Sequence, residues 1–146
     1  MSFLPKKKIV VPVDFSGESA NAIQVAREMA ASLESVHLLH VLFPLDSVSP
    51  GVVWGDVSDE HREEKIRDAF NDLIAANNLS GVNVTVRFGN PGLEIAEYAG
   101  EIDADLIVIP SHGYHGVKRL VLGSVAERVI RHANCSVMVL RRSDAD

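Results

Sequence analysis

Five short strand-like segments, four apolar runs and one that alternates apolar with polar, each parted from the next by a segment of helical periodicity, constrain this chain more than any other feature of its sequence. Ile9-Val10-Val11-Pro12-Val13 is apolar without a break, as a strand covered on both faces must be. It ends at Asp14-Phe15-Ser16, where Ser16 is placed to cap a helix and Glu18 suits the positive first turn. Ile23, Ala26, Ala30 and Leu33 then recur at helical spacing. Val36 to Phe43 forms a second apolar run, followed by a polar stretch with Gly and Pro over Pro44 to Val57. A charged helix is predicted from Ser58 to Asn78, its core stripe being Ile66, Phe70, Leu73 and Ile74.

Val82, Val84, Val86 and Phe88 alternate with polar residues, the pattern of a half-exposed, edge-like strand. Asn90-Pro91 reads as N-cap and first helical position of a helix running to Ile102. Leu106-Ile107-Val108-Ile109 is a fourth buried strand, Ser124 to His132 a last helix, and Val137 to Leu140 a last strand. The regular alternation predicts an α/β fold: one domain over residues 1–146, an open twisted sheet of five parallel strands with helices on both faces.

A chain of 146 residues is long enough to bury a core of its own. Its net charge of −6 argues against general nucleic-acid binding, which needs a surplus of cations facing phosphates. The triplet Lys6-Lys7-Lys8 reads as a solvated lead-in to the first strand. The single cysteine, Cys135, forbids an intrachain disulfide and is read as a core residue. No apolar run has the length of a membrane span and no leader is recognisable, so a cytoplasmic protein is expected, without membrane partners.

The last strand is apolar on both faces although a C-terminal strand often lies at a sheet edge. Such an edge invites pairing with another chain. A homodimer joined through residues 137–140 is therefore expected, the alternative being an edge shielded by the chain's own loops.

In open α/β sheets ligands lie beyond the C-terminal strand ends, where strand order reverses. Polar and glycine residues follow two of the strands here. Asp14 follows the first, able to accept hydrogen bonds from ribose hydroxyls or to hold a metal through water. Pro110-Ser111-His112-Gly113-Tyr114-His115-Gly116 follows the fourth and leads through Val117 to Leu122 into Gly123-Ser124. Ser124 and Glu127 have capping-box spacing, which fixes Ser124 as the start of the last helix. The N–H groups around Gly123, Ser124 and Val125 would then face an anion at a helix N-terminus, and Gly113 and Gly116 allow close backbone approach. A loop able to wrap phosphate is one reading. A simple helix cap is the other, and Glu127 adds negative charge to the same turn.

Other constellations are weaker. His112 and His115 share a glycine loop without a carboxylate partner, so no metal site made of side chains is expected. Ser111-His112 lacks the strand–turn–helix setting of a nucleophile elbow. Neither GxGxxG nor GxxxxGK[ST] occurs. Trp54, in the middle loop, is read as ordinary packing.

These residues resemble the universal stress protein family. The likeness runs through Ile9-Val10-Val11-Pro12-Val13-Asp14-Phe15-Ser16, Leu38-Leu39-His40-Val41, Gly89-Asn90-Pro91 and Ala104-Asp105-Leu106-Ile107-Val108-Ile109, and is most specific from Ser111 to Leu140. It implies strand order 3-2-1-4-5 and a dimer through the last strand. The ATP-binding branch of the family carries glycine, two residues, glycine, nine residues, then glycine and Ser or Thr. Gly113, the nine residues Tyr114 to Leu122, and Gly123-Ser124 fit that pattern, whereas Pro110 replaces the first glycine. By resemblance Asp14 holds the ribose, Pro12 and Val41 border the adenine, and Gly113, Gly123, Ser124 and Val125 surround the phosphates. Pro110, Ser111, His112 and Gly116 are further loop contacts.

The resemblance implies a stress-response regulator that binds ATP or another adenine nucleotide, with Mg or Mn held by the phosphates. Hydrolysis would be slow at most, since no Lys-plus-carboxylate set for fast phosphoryl transfer is recognisable. The alternative is a dimeric interaction protein of the same family that binds no nucleotide, a reading favoured by Pro110. A phospho-receiver domain would need an acceptor Asp after the third strand, where Arg87-Phe88-Gly89 stands.

Overall fold

Three segments, residues 2–44, 58–111 and 122–141, are described by the computed structural model. Trp54, His112, Gly113, His115 and Gly116 lie outside them. The elements are β1 (Ile9–Pro12), α1 (Gly17–Met29), β2 (Val36–Leu42), α2 (Asp59–Asn77), β3 (Asn83–Phe88), α3 (Pro91–Glu101), β4 (Leu106–Pro110), α4 (Ser124–His132) and β5 (Ser136–Leu140). All strand pairs are parallel, and the order is β3-β2-β1-β4-β5.

Side chains of successive strand residues point to opposite faces, so an unbroken apolar strand must feed two cores. β1 does so. Ile9, Val11 and Val13 pack with Leu38, Val108, Ala22, Ile23, Ala26 and Phe70 on the face covered by α1 and α2. Val10 packs on the other face with Leu39, Ile107, Ile109, Ile95, Ala126 and Val129 beneath α3 and α4. Ile66, Leu73 and Ile74 of α2 line its half-buried stripe with Phe70, as their spacing predicts. β3 and β5 are the two edges.

The helices start where short polar side chains replace missing backbone partners. Ser16, Ser58 and Asn90 each accept from the N–H three residues on, belonging to Ser19, His61 and Leu93. Pro91 occupies the first turn of α3, where its missing N–H is harmless. Asn78 closes α2 in the left-handed conformation.

Two expectations need correction. Lys6 is no solvated lead-in but is buried at 8% exposure, its backbone clamped between Met29 O and the Ala31 N–H and its Nζ lying over the Phe3 ring. Lys7 and Lys8 are exposed, and their N–H groups donate to the Asp105 carboxylate. The last helix does start at Ser124, as its spacing predicts, but its N-cap is Gly123 and the expected capping box is missing. The Gly123 carbonyl takes the first intrahelical bond, from the Glu127 N–H at 2.9 Å, and no side chain caps the helix. Ser124 is thus already helical, and the capping box does not form.

Among the described residues no helix is long and apolar enough to cross a membrane.

Candidate functional site

Strand order reverses between β1 and β4, and there the sheet opens. β1 pairs with β4 only at Ile9↔Leu106 and Val10↔Ile107. Pairing with β2 on one side continues to Pro12↔Leu39, and pairing of β4 with β5 on the other continues to Pro110↔Leu140. Two prolines account for the split. The Val13 N–H donates to Leu39 O of β2 at 2.8 Å, and the Ser111 N–H donates to Leu140 O of β5 at 2.8 Å. Successive N–H groups of a strand point to opposite sides, so the donors missing at Pro12 and Pro110 are the ones that would face across the gap. Neither strand can extend the ladder there.

Asp14 stands at the β1 lip of this crevice. Its carboxylate Oδ1 accepts from the Ser16 N–H at 2.9 Å and from the Ser19 hydroxyl at 2.5 Å, while its own N–H donates to Ser19 Oγ at 2.9 Å. Ser19 is only 2% exposed. The chain turns through Phe15 with φ 64°, a conformation unusual for a bulky residue. It is held by ring contacts, 5.0 Å from Phe70 and 5.5 Å from His40 between centroids. His40 Nδ1–H in turn donates to Val13 O at 2.5 Å, fixing the peptide just before Asp14.

The opposite lip is the start of α4. Ser111, 6% exposed, accepts from the Gly123 N–H at 2.8 Å, which ties the helix entry to the end of β4. That donor is therefore taken, contrary to the expectation that Gly123 offers it outward. Ser124, Val125 and Ala126 begin the helix, where N–H groups have no intrahelical acceptor and the dipole favours an anion. Glu127 directs its carboxylate along the helix to Arg131 at 2.5 Å, which offsets its charge in the first turn.

Val41 packs on the face covered by α3 and α4, two residues beyond Leu39. Pro12, opposite Leu39 in register, belongs to that face by alternation from Val10. The structure thus gathers Pro12, Asp14, Val41, Pro110, Ser111, Gly123, Ser124 and Val125 at the C-terminal end of the sheet. Among the described residues no group of His, Cys, Asp and Glu could hold a metal ion.

Residues 6–141 match the universal stress protein family. The chain belongs to that family. Universal stress protein MJ0531 of Methanocaldococcus jannaschii is 34% identical over 142 residues, spanning 93% of this chain and 82% of that protein. Among solved structures, the protein MJ0577 aligns with a TM-score of 0.75 at 27% identity, covering 97% of this chain and 100% of the other. A universal stress protein in complex with cAMP shares the fold, with a TM-score of 0.67 at 24% identity and coverage of 95% and 99%.

Three residues of this universal stress protein that shape the Asp14 lip, Phe15, Ser19 and His40, were not singled out as site residues by sequence reasoning. Ser19 had a signal: it occupies the third helical position after the Ser16 cap, from which a side chain reaches back past the helix start. Phe15 and His40 had none, since a positive φ and a contact between β2 and the β1 end exist only in three dimensions.

Proposed function

We propose that this protein binds an adenine nucleotide, ATP, ADP or AMP, across the crevice between β1 and β4, and acts as a stress-response regulator through partners that sense the bound state. The observation that carries the reading is the split sheet, with an oriented carboxylate on one lip and a helix N-terminus on the other. A carboxylate suits ribose hydroxyls, and helix N–H groups suit phosphate. Pro12 and Val41 would border the base, Asp14 the ribose, and Gly113, Gly123, Ser124 and Val125 the phosphates, with Mg or Mn held by the phosphates. Gly123 would contribute space rather than its N–H. A cAMP complex of a protein with this fold supports the choice of an adenine nucleotide.

Isothermal calorimetry with ATP, ADP and AMP tests the reading directly. Binding is expected in the wild type and lost in Gly123→Val and Asp14→Ala. Absence of binding for every adenine nucleotide at millimolar concentration overturns it.

Pro110 favours a second reading, in which the crevice binds no nucleotide and the protein works through protein contacts alone. Nucleotide released into an acid extract of the purified protein separates the two. In both, the β5 edge, apolar and half-buried from Val137 to Leu140, joins two copies into a cytoplasmic homodimer. A single monomeric species at micromolar concentration in sedimentation would count against the dimer.

A further inference from the structure

We infer that Ser19 is a positioning residue that sets how Asp14 meets the sugar, and thereby sets discrimination between ribose and deoxyribose. This rests on the proposed binding of an adenine nucleotide.

The helix does not need this hydroxyl. The cap of α1 is supplied by Ser16, whose Oγ accepts from the Ser19 N–H at 3.3 Å, and the Ser16 carbonyl already accepts from Ala20 at 3.2 Å. The Ser19 hydroxyl instead turns both of its functions on one neighbour. It accepts from the Asp14 N–H and donates to Asp14 Oδ1. A hydroxyl can do both at once, and here the result is a closed ring joining the backbone and the carboxylate of the same residue. Ser19 is buried and Asp14 is exposed, so the hydroxyl grips the carboxylate from the core side.

The Ser16 N–H bonds the same oxygen, Oδ1, at 2.9 Å. Two donors converging on one oxygen from the start of α1 fix the plane of the carboxylate. Hydrogen bonds to a charged acceptor are strong only when aligned, so the orientation of that plane decides what two vicinal hydroxyls gain by meeting it. Without Ser19 the hydroxyl that grips Oδ1 from the core side goes, and the hold on the orientation of that carboxylate loosens.

The test compares ATP with 2′,3′-dideoxy-ATP by calorimetry. Ser19→Ala is expected to weaken ATP binding about tenfold, the worth of one charge-assisted hydrogen bond, while dideoxy-ATP binding stays within about twofold. Because a buried site tolerates change poorly, Ser19→Thr and Ser19→Val provide a matched pair that shares the added bulk. Thr is expected to keep the ratio between the two ligands, and Val to lose it. An unchanged ratio in Ser19→Ala, or equal ratios in Thr and Val, overturns the role of Ser19 alone. Wild-type protein that binds neither ligand overturns the nucleotide reading, and this inference with it.

Discussion

Gly92 of α3 lies so close to Arg128 of α4 that a Cβ on the glycine would stand 2.6 Å from Arg128 Cβ and 2.8 Å from its Cγ. The near atom is the stem of the arginine, not its mobile end, so the two helices would have to part. Gly92→Ala is expected to destabilise the protein by about 1–3 kcal/mol in urea unfolding, despite alanine's better helix propensity. Gly100, in the same helix, faces open space. Gly100→Ala is expected to stabilise by about 0.5–1 kcal/mol. Equal effects at the two positions would show that propensity, not helix contact, governs α3. Displacing α4 would also move the N–H groups of Ser124 and Val125, so Gly92→Ala should weaken the proposed nucleotide binding where Gly100→Ala does not.

That contact marks where reading the sequence stops. Unbroken apolar runs at Ile9–Val13 and Leu106–Ile109 reveal strands buried on both faces, and the alternation at Val82–Phe88 reveals an edge, because both patterns follow from the two-residue repeat of a strand. The caps at Ser16 and Asn90 were legible because a short polar side chain before a helical pattern is a local signal, whereas Ser58, predicted as the first helical residue, is the cap. The cap of α4 was not legible either. Ser124 and Glu127 have the right spacing, but the Gly123 carbonyl takes the first intrahelical bond from the Glu127 N–H, so Gly123 is the N-cap and Ser124 already lies in the helix. The place of the candidate site was legible, since Asp14 and Gly123-Ser124 follow the strands that flank the order reversal. Its openness was not. Two prolines whose missing donors face one another become meaningful only once β1 and β4 are known to be neighbours.

Pro110 stands where the ATP-binding pattern has glycine, at the end of a strand whose missing N–H faces the crevice. Pro110→Gly restores one donor and removes the bulk of the ring. If the crevice binds nucleotide as proposed, ATP affinity is expected to rise about tenfold in calorimetry, with AMP affinity changed less, because the added donor lies at the end of β4, on the side where the proposal puts the phosphates. The same change should lower stability by about 1 kcal/mol through the freer unfolded chain. Unchanged ATP affinity would show that proline at this position costs the ligand nothing.

Arg87, on the edge strand β3, gathers a stripe of carboxylates along α3. It lies 3.1 Å from Glu94, 2.8 Å from Glu101 and 3.9 Å from Glu97, with Tyr98 flanking the guanidinium. One cation among three anions on a single helix face is needed more than an isolated surface partner would be. Arg87→Met keeps the apolar stem and leaves the carboxylates to repel one another. A loss of about 1–2 kcal/mol is expected at low salt, reduced because the groups are partly exposed, and shrinking in molar salt as the repulsion is screened. A loss that does not change with salt would assign the role of Arg87 to packing on Tyr98 instead.

His37 faces Tyr98 from β2, its Nδ1 3.4 Å from the phenolic oxygen, which also meets Thr85 Oγ1 at 3.1 Å. Burial first, and then the positive charge of Lys8, push its pKa below the ordinary histidine value. The folded protein therefore resists protonating a group that the unfolded chain protonates readily. Stability is complete above the unfolded value and declines as pH falls from there toward the folded one, with a slope of at most about 1.4 kcal/mol per pH unit from this one group. Other groups also titrate over an acid range, so the difference between wild type and His37→Gln isolates the histidine. Urea midpoints measured from about pH 7.5 down to about pH 5 should fall more steeply in the wild type than in the variant. Parallel slopes would mean that the imidazole is protonated in the fold as easily as in the open chain, and that the polar chain from Thr85 through Tyr98 tolerates its charge.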